Sequence, residues 1–395
     1  MQTPRELFLR HIAQTSDAPL QLEINKAEGV YLFTSEGKRL FDLISGVSVS
    51  NVGHSHPKVI ESVCQQASQY MHLMVYGEYI QYPQVRLAQR IAGMLPKTLQ
   101  NIYFVNSGSE AVEGALKLAK RFTGRHKVIS FKNAYHGGTH GALSLMGSEE
   151  PKRAFRPLLP SVIHLEFNNT SEFGLIDNNT ACVVVEPIQG EAGIIPPTQD
   201  FLKQLQERCR KVGALLVFDE IQTGMGRTGY NFAFEKFNVV PDILLLAKAF
   251  GGGMPLGAFI SSSNIMKCLT NNPPLGHITT FGGHPVSCAA ALASIDIIIE
   301  EKAVQEVNDK EKLFRDLLGT HQAVKDIRSC GLLMAVEIGS FDNVKKLIKL
   351  GIENGFVTDW FLFCDTAFRI APPLTITKDE ITEVCSAILE VLDQL

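Results

Sequence analysis

The chain predicts an α/β fold, with a large domain built on a mostly parallel sheet covered by helices and a second, smaller α+β domain. Three observations lead there. The segments Cys182-Val-Val-Val-Glu186, Ala214-Leu-Leu-Val-Phe-Asp219 and Ile243-Leu-Leu-Leu-Ala247 are apolar without alternation, as strands buried on both faces are. Segments with helical spacing, Glu110–Arg121 and Gln199–Val212, are interleaved with these strand-like runs. At 395 residues the chain also exceeds what one core usually serves.

Taken in order, Val30-Tyr-Leu-Phe33 and Lys38-Arg-Leu-Phe-Asp42 flank a Ser35-Glu-Gly37 turn and predict a hairpin. Residues 1–50 are expected to pack with the small domain. Residues 51–285 form the large domain, whose first strand, Ile102-Tyr-Phe-Val105, leads through Asn106-Ser-Gly-Ser109 into a helix. Lys127–Phe131 is the next strand. From residue 286 the pattern becomes that of the small domain: helices over Val286–Glu301 and Val304–Leu318, the segment Gly331–Glu337, a helix near Val344–Gly355 and a last helix from Lys378.

Composition excludes several classes. Apolar residues make up 45% and charged residues 20%, as in ordinary globular proteins. A formal net charge of −4 without a basic cluster argues against a nucleic-acid surface. Eight scattered cysteines, with no C-x-x-C pair and no histidines at zinc spacing, predict neither a disulfide framework nor a metal site. No stretch approaches the roughly 20 apolar residues that span a bilayer, and charge interrupts the N-terminus too early for a signal peptide. A cytoplasmic protein is expected.

Lys248 stands at the end of an apolar run, directly before Gly251-Gly-Gly253. An ammonium there is costly to bury. It either snorkels outward or serves as a desolvated, activated amine. Asp219 ends an earlier strand of the same kind. In an open α/β sheet, ligands bind outside the carboxyl ends of the strands, so Asp219 either faces that crevice or caps a helix. Ser107, Gly108 and Ser109, at a strand-to-helix turn, suit a phosphate at the positive end of a helix dipole or a plain helix cap. Together with Tyr135 and His136, these residues supply the contacts that one cofactor needs, and that cofactor is pyridoxal phosphate.

Motifs run in order along most of the chain: Gly53-His-Ser-His-Pro57, Asn106-Ser-Gly-Ser-Glu110, Tyr135-His-Gly137, Glu186-Pro-Ile-Gln-Gly-Glu191 and Phe218-Asp-Glu-Ile-Gln-Thr-Gly224. Gly226-Arg-Thr-Gly229, Ala247-Lys-Ala-Phe-Gly-Gly-Gly253, Thr279-Thr-Phe-Gly-Gly283 and Phe368-Arg-Ile-Ala-Pro-Pro373 follow. In these the chain resembles the class III aminotransferases of pyridoxal phosphate fold type I, nearest the acetylornithine, ornithine and 4-aminobutyrate branch. The resemblance implies a seven-stranded sheet in the large domain, Lys248 as the Schiff-base lysine and proton shuttle, Asp219 on the ring nitrogen and Gln222 on the ring hydroxyl. It places Ile221 and Tyr135 on the two ring faces, with Ser107, Gly108 and Ser109 on the phosphate. Thr280 is implied to reach the phosphate of the neighbouring subunit in a homodimer.

For substrate, the resemblance implies that Arg369 grips the α-carboxylate of glutamate or 2-oxoglutarate and that Glu191 occupies Arg369 when an ω-amino donor is bound. Ornithine and acetylornithine enzymes carry an arginine after the aromatic-x-Gly segment that clamps the distal carboxylate, the α-carboxylate of such a donor, where this chain has Gly138. Val47 stands where ornithine enzymes carry tyrosine and the other branches an aliphatic residue. Lys132 and His140 are the nearby groups able to replace the missing charge. The implied activity is amino transfer from an ω-amino donor to 2-oxoglutarate by a ping-pong mechanism. The alternatives are an aminomutase of the same fold or an aminotransferase for a donor lacking an α-carboxylate. His54 and His56, two apart with no ligand pattern around them, read as structural.

Overall fold

The computed structural model describes residues 2–395. An antiparallel sheet opens the fold: β1 (Ile24–Glu28), β2 (Tyr31–Thr34) and β3 (Arg39–Asp42). Seven strands follow: β4 (Asn101–Val105), β5 (Lys127–Phe131), β6 (Val162–Leu165), β7 (Thr180–Val185), β8 (Leu215–Asp219), β9 (Ile243–Leu246) and β10 (Gly257–Ser261). They form one sheet in the order β4-β10-β9-β8-β7-β5-β6. Every residue of β7, β8 and β9 is buried, which is why these strands show no alternation.

The strand β10 is antiparallel to both its neighbours, β4 and β9. The six remaining strands therefore end on one edge of the sheet, and β10 begins there. The 16-residue helix Gly108–Thr123 lies across this sheet. It sits so close that a Cβ added to Gly114 would come within 2.3 Å of the Phe259 ring, so only glycine allows this helix-to-strand contact.

The smaller sheet contains β11 (Asp326–Ser329), β12 (Met334–Glu337), β14 (Trp360–Phe361) and β15 (Cys364–Ile370), while β13 (Phe356–Val357) pairs in parallel with β3. Val30, Phe41 and Leu43 share a core with Phe314, Leu347 and Ile388, so the N-terminal sheet and the C-terminal region are one packing unit.

Helix Pro285–Glu300 buries Cys288, Ala290, Ile295 and Ile298 in the core of the large domain, whereas Ala303 and Val307 belong to the small one. Val304 still touches the first core, so the two cores meet along this connection. The helix before it is apolar nearly all round and the helix after it is amphipathic, with left-handed Lys302 between them.

Arg227 joins the parts. Fully buried, it donates from Nη1 to the carbonyls of Leu332, at 3.0 Å, and Pro372, and from Nη2 to Oδ1 of Asn51. Burial lowers its pKa to about 9. His54 Nε2 lies 2.7 Å from Oδ2 of Asp42, and Oδ1 of Asp42 accepts the N–H groups of Ile44 and Ser45. His54 thus orders a turn. No helix among the described residues is long and apolar enough to cross a membrane. All eight cysteines are free.

Candidate active site

Where the strands end, the chain encloses a cavity of about 390 Å³. Five loops reach it, after β4, β5, β7, β8 and β9, together with Met254–Leu256 just before β10. This is where an open α/β sheet places its ligands.

Beyond β4, Ser107 caps the helix Gly108–Thr123 with its hydroxyl accepting from Glu110 N–H at 3.2 Å. The first amides of that helix have no intrahelical acceptor, which makes the turn an anion site. Glu110 returns a carboxylate to the N–H and Nδ2 of Asn106 at 2.7 and 2.9 Å. Gly108 has to be glycine, because a Cβ would lie 2.8 Å from Cδ1 of Ile221. The Ser109 hydroxyl accepts from Gly138 N–H at 3.2 Å, joining the phosphate-type turn to the loop after β5.

Asp219, at the end of β8, is buried with both oxygens engaged. Oδ1 accepts from Ile221 N–H at 3.1 Å and Oδ2 meets His136 Nδ1 at 2.7 Å. Burial works to lower the His136 pKa, but the hydrogen bond and charge of Asp219 outweigh it, and the net shift is upward. Glu186, after β7, accepts from Tyr135 N–H at 3.0 Å and Gly190 N–H at 2.9 Å, and burial pushes its pKa up to about 7. It thereby ties together two loops that line the cavity. The role of Glu186 is not legible in its motif, because its partners are backbone amides that no side-chain pattern reveals.

Gln222 lies against Gly190, where a Cβ would come within 1.9 Å of Oε1. Its Nε2 is buried without a partner, and so is Nε2 of His136. Buried polar nitrogens left unpaired in this way are costly in a finished structure.

Lys248 follows β9 and lines the cavity. Its backbone is left-handed, φ +50°, in a residue with a full side chain, a strain of order 1–3 kcal/mol. Desolvation lowers its pKa, against the pull of Glu191. Tyr135 and Ile221 also line the cavity.

Glu191 reaches the wall too, and behind it stands Arg369, which is 1% exposed. Nη2 of Arg369 meets both Glu191 oxygens, at 3.2 and 3.1 Å. Nε meets Oδ1 of Asp359 at 2.8 Å, and Nη1 has no partner. Desolvation pushes the Glu191 pKa up, but the charge and hydrogen bond of Arg369, the charge of Lys248 and the Leu362 N–H together hold the carboxyl below its ordinary value.

Two residues expected at the site stand apart from the cavity. Val47 is half-buried in a run of left-handed residues, Ser45 to Ser48, and Val49 forms the wall instead. Thr280 is exposed, although its neighbour Thr279 receives Nδ2 of Asn106 at 3.1 Å. Gly138 is exposed, and a Cβ there would meet nothing within 4 Å. Lys132 is exposed and paired with Glu166, and His140 is exposed as well. Among the described residues, no group of three or more His, Cys, Asp or Glu is arranged to hold a metal ion.

The family model described as aminotransferase class-III matches residues 12–392. An acetylornithine aminotransferase from Methanopyrus kandleri is 38% identical over 92% of each chain. A [LysW]-aminoadipate semialdehyde/glutamate semialdehyde transaminase from Sulfurisphaera tokodaii is 39% identical over 93% of each. The solved ornithine aminotransferase from Toxoplasma gondii, whose description records PLP at its active site, superposes with a TM-score of 0.91. It is 30% identical, covering 99% of this chain and 94% of its own. The chain belongs to the class-III aminotransferases, and its cofactor is pyridoxal phosphate.

Proposed function

We propose that this enzyme transfers an amino group from an ω-amino donor to 2-oxoglutarate in two successive half-reactions at one site, by a ping-pong mechanism. The observation that carries this reading is the Glu191 carboxylate lying across Arg369. A site that takes a dicarboxylic oxo acid in one half-reaction, and a bare amine end in the other, needs a cation that can be masked. Glu191 masks it.

The cavity suits the cofactor. Asp219 offers a buried carboxylate for the ring nitrogen, and the turn Ser107-Gly108-Ser109 offers helix-terminal amides for the phosphate. Gln222 brings an unpaired Nε2 for the ring hydroxyl, and Ile221 and Tyr135 stand ready for the two ring faces. His136 acts from behind, holding Asp219 in place. In a homodimer, exposed Thr280 would complete the phosphate site of the second copy. When bound, pyridoxal phosphate supplies the electron sink for a carbanion. Lys248, its pKa depressed by desolvation, takes the proton from the donor carbon and returns it, a role that favours a pKa nearer the working pH.

The relatives' names support donors of the acetylornithine or ornithine type, and 4-aminobutyrate is the further donor that the family resemblance implies. Gly138 favours a second reading of the donor alone. Nothing at that position can clamp an α-carboxylate, and the nearby Lys132 is already paired, so the preferred amine lacks one. The test is glutamate formation from 2-oxoglutarate with a panel of amines. Parallel double-reciprocal lines are expected, and an enzyme that forms no glutamate with any donor overturns the proposal.

A further inference from the structure

The guanidinium of Arg369 is held by two carboxylates in different ways. Asp359 is tied to Arg369 twice, and its neighbour Thr358 adds a third bond. Arg369 N–H donates to the Asp359 carbonyl at 2.9 Å, Nε donates to Oδ1 at 2.8 Å, and the hydroxyl of the adjacent Thr358 donates to the Arg369 carbonyl at 2.5 Å. These contacts are set by strand pairing, because Trp360 stands opposite Phe368 in the β14–β15 ladder. The backbone at Asp359 cannot move away without breaking that register, which keeps its carboxylate beside Nε.

Glu191 is bound differently. It comes from the loop after β7, and both its oxygens share the single nitrogen Nη2 at longer distances, 3.1 and 3.2 Å. Its remaining carboxylate contact is Leu362 N–H at 3.3 Å. Nη1 is buried and unpartnered, and the Phe361 ring lies 4.4 Å from the guanidinium carbon, restraining the plane. An arriving carboxylate would take Nη1 and Nη2 together, the fork geometry arginine favours, and so displace Glu191 alone.

We propose that Asp359 is a positioning residue, fixing Arg369 by its Nε edge so that the Nη1–Nη2 edge stands ready for the acid substrate while Glu191 alone swings. This rests on the reading of Arg369 as the carboxylate site. The charges agree with it. Two carboxylates on one guanidinium already leave an excess negative charge, and a third would be repelled unless one departs.

The test uses holoenzyme titrated with glutarate, an unreactive dicarboxylate, with binding read from the cofactor's visible absorption. D359N still offers an oxygen to Nε and should bind glutarate within about threefold of wild type. D359E keeps the charge but displaces it by a methylene, and should weaken binding tenfold or more, as should D359A. The reverse order, with D359N weak and D359E normal, overturns positioning in favour of charge. Equal binding by all three overturns it outright. A wild type that binds glutarate yet fails to turn over 2-oxoglutarate refutes the acceptor assignment, while the order of the three variants still decides the role of Asp359. A wild type that binds no glutarate refutes both.

Discussion

The Nδ1 of His136 and the Oδ2 of Asp219 meet at 2.7 Å, and both residues are nearly inaccessible. The contact fixes the tautomer and turns Oδ1 of Asp219 toward Ile221 N–H. Removing one partner of a buried ionic pair costs about 3–5 kcal/mol. D219N should therefore lower transamination by two decades or more and weaken cofactor retention, measured as kcat and as the dissociation constant for pyridoxal phosphate. H136A should lose less, because Asp219 keeps its charge.

Lys248 carries two separable properties, its amine and its left-handed backbone. K248A and K248G should both lack turnover. Glycine accepts φ +50° freely, whereas alanine pays roughly 1–2 kcal/mol in that region. K248G should thus unfold at a temperature no lower than K248A, despite the usual entropic penalty of glycine. A clearly less stable K248G would show that the turn is not strained.

Gly138 has room for a side chain and no left-handed constraint. G138R should fold normally and improve kcat/KM for a donor with an α-carboxylate relative to the same amine without one. Charge-assisted hydrogen bonds contribute roughly 1.5–3 kcal/mol each, so a tenfold or greater change in that ratio is expected. An unchanged ratio would place the clamp elsewhere.

Glu220 follows Asp219 and accepts the N–H groups of Ala233 and Phe234. Burial raises its pKa from 4.5 to about 8. Between those values the folded state holds a proton that the unfolded state has released. Its contribution to stability is then fully present below about pH 4.5 and is lost as pH rises toward 8. Melting temperatures across pH 5–8 should show that downward component in wild type and a flatter profile in E220Q. Identical slopes would mean that Glu220 is ionised throughout.

Much of this was legible in the residues. The buried strands declared themselves by unbroken apolar runs, and Asp219 and Lys248 stood at their ends. The strand β10, Gly257–Ser261, is not marked by the pattern, being short and bounded by Gly and Ser, and its direction against its neighbours is not legible either. The helices Pro57–Gln69 and Tyr82–Met94 escaped notice because each buries only two side chains, Val59 and Gln66 in the first and Leu87 and Ile91 in the second. Asp359 was invisible because its partnership with Arg369 depends on hairpin register, which is settled by pairing rather than by local composition.

The Arg227 contacts have a consequence for the order of folding. Its acceptors lie 105, 145 and 176 residues away along the chain, so no fragment made early in synthesis can satisfy that guanidinium. Loops of such length close slowly and late. The strand bearing Arg369 is continuous with Pro372, one of those acceptors. Arg369 is therefore set in place only when the segment around Asn51 and the last hundred residues have found each other, and a nascent chain short of that point leaves the Arg227 guanidinium unsatisfied.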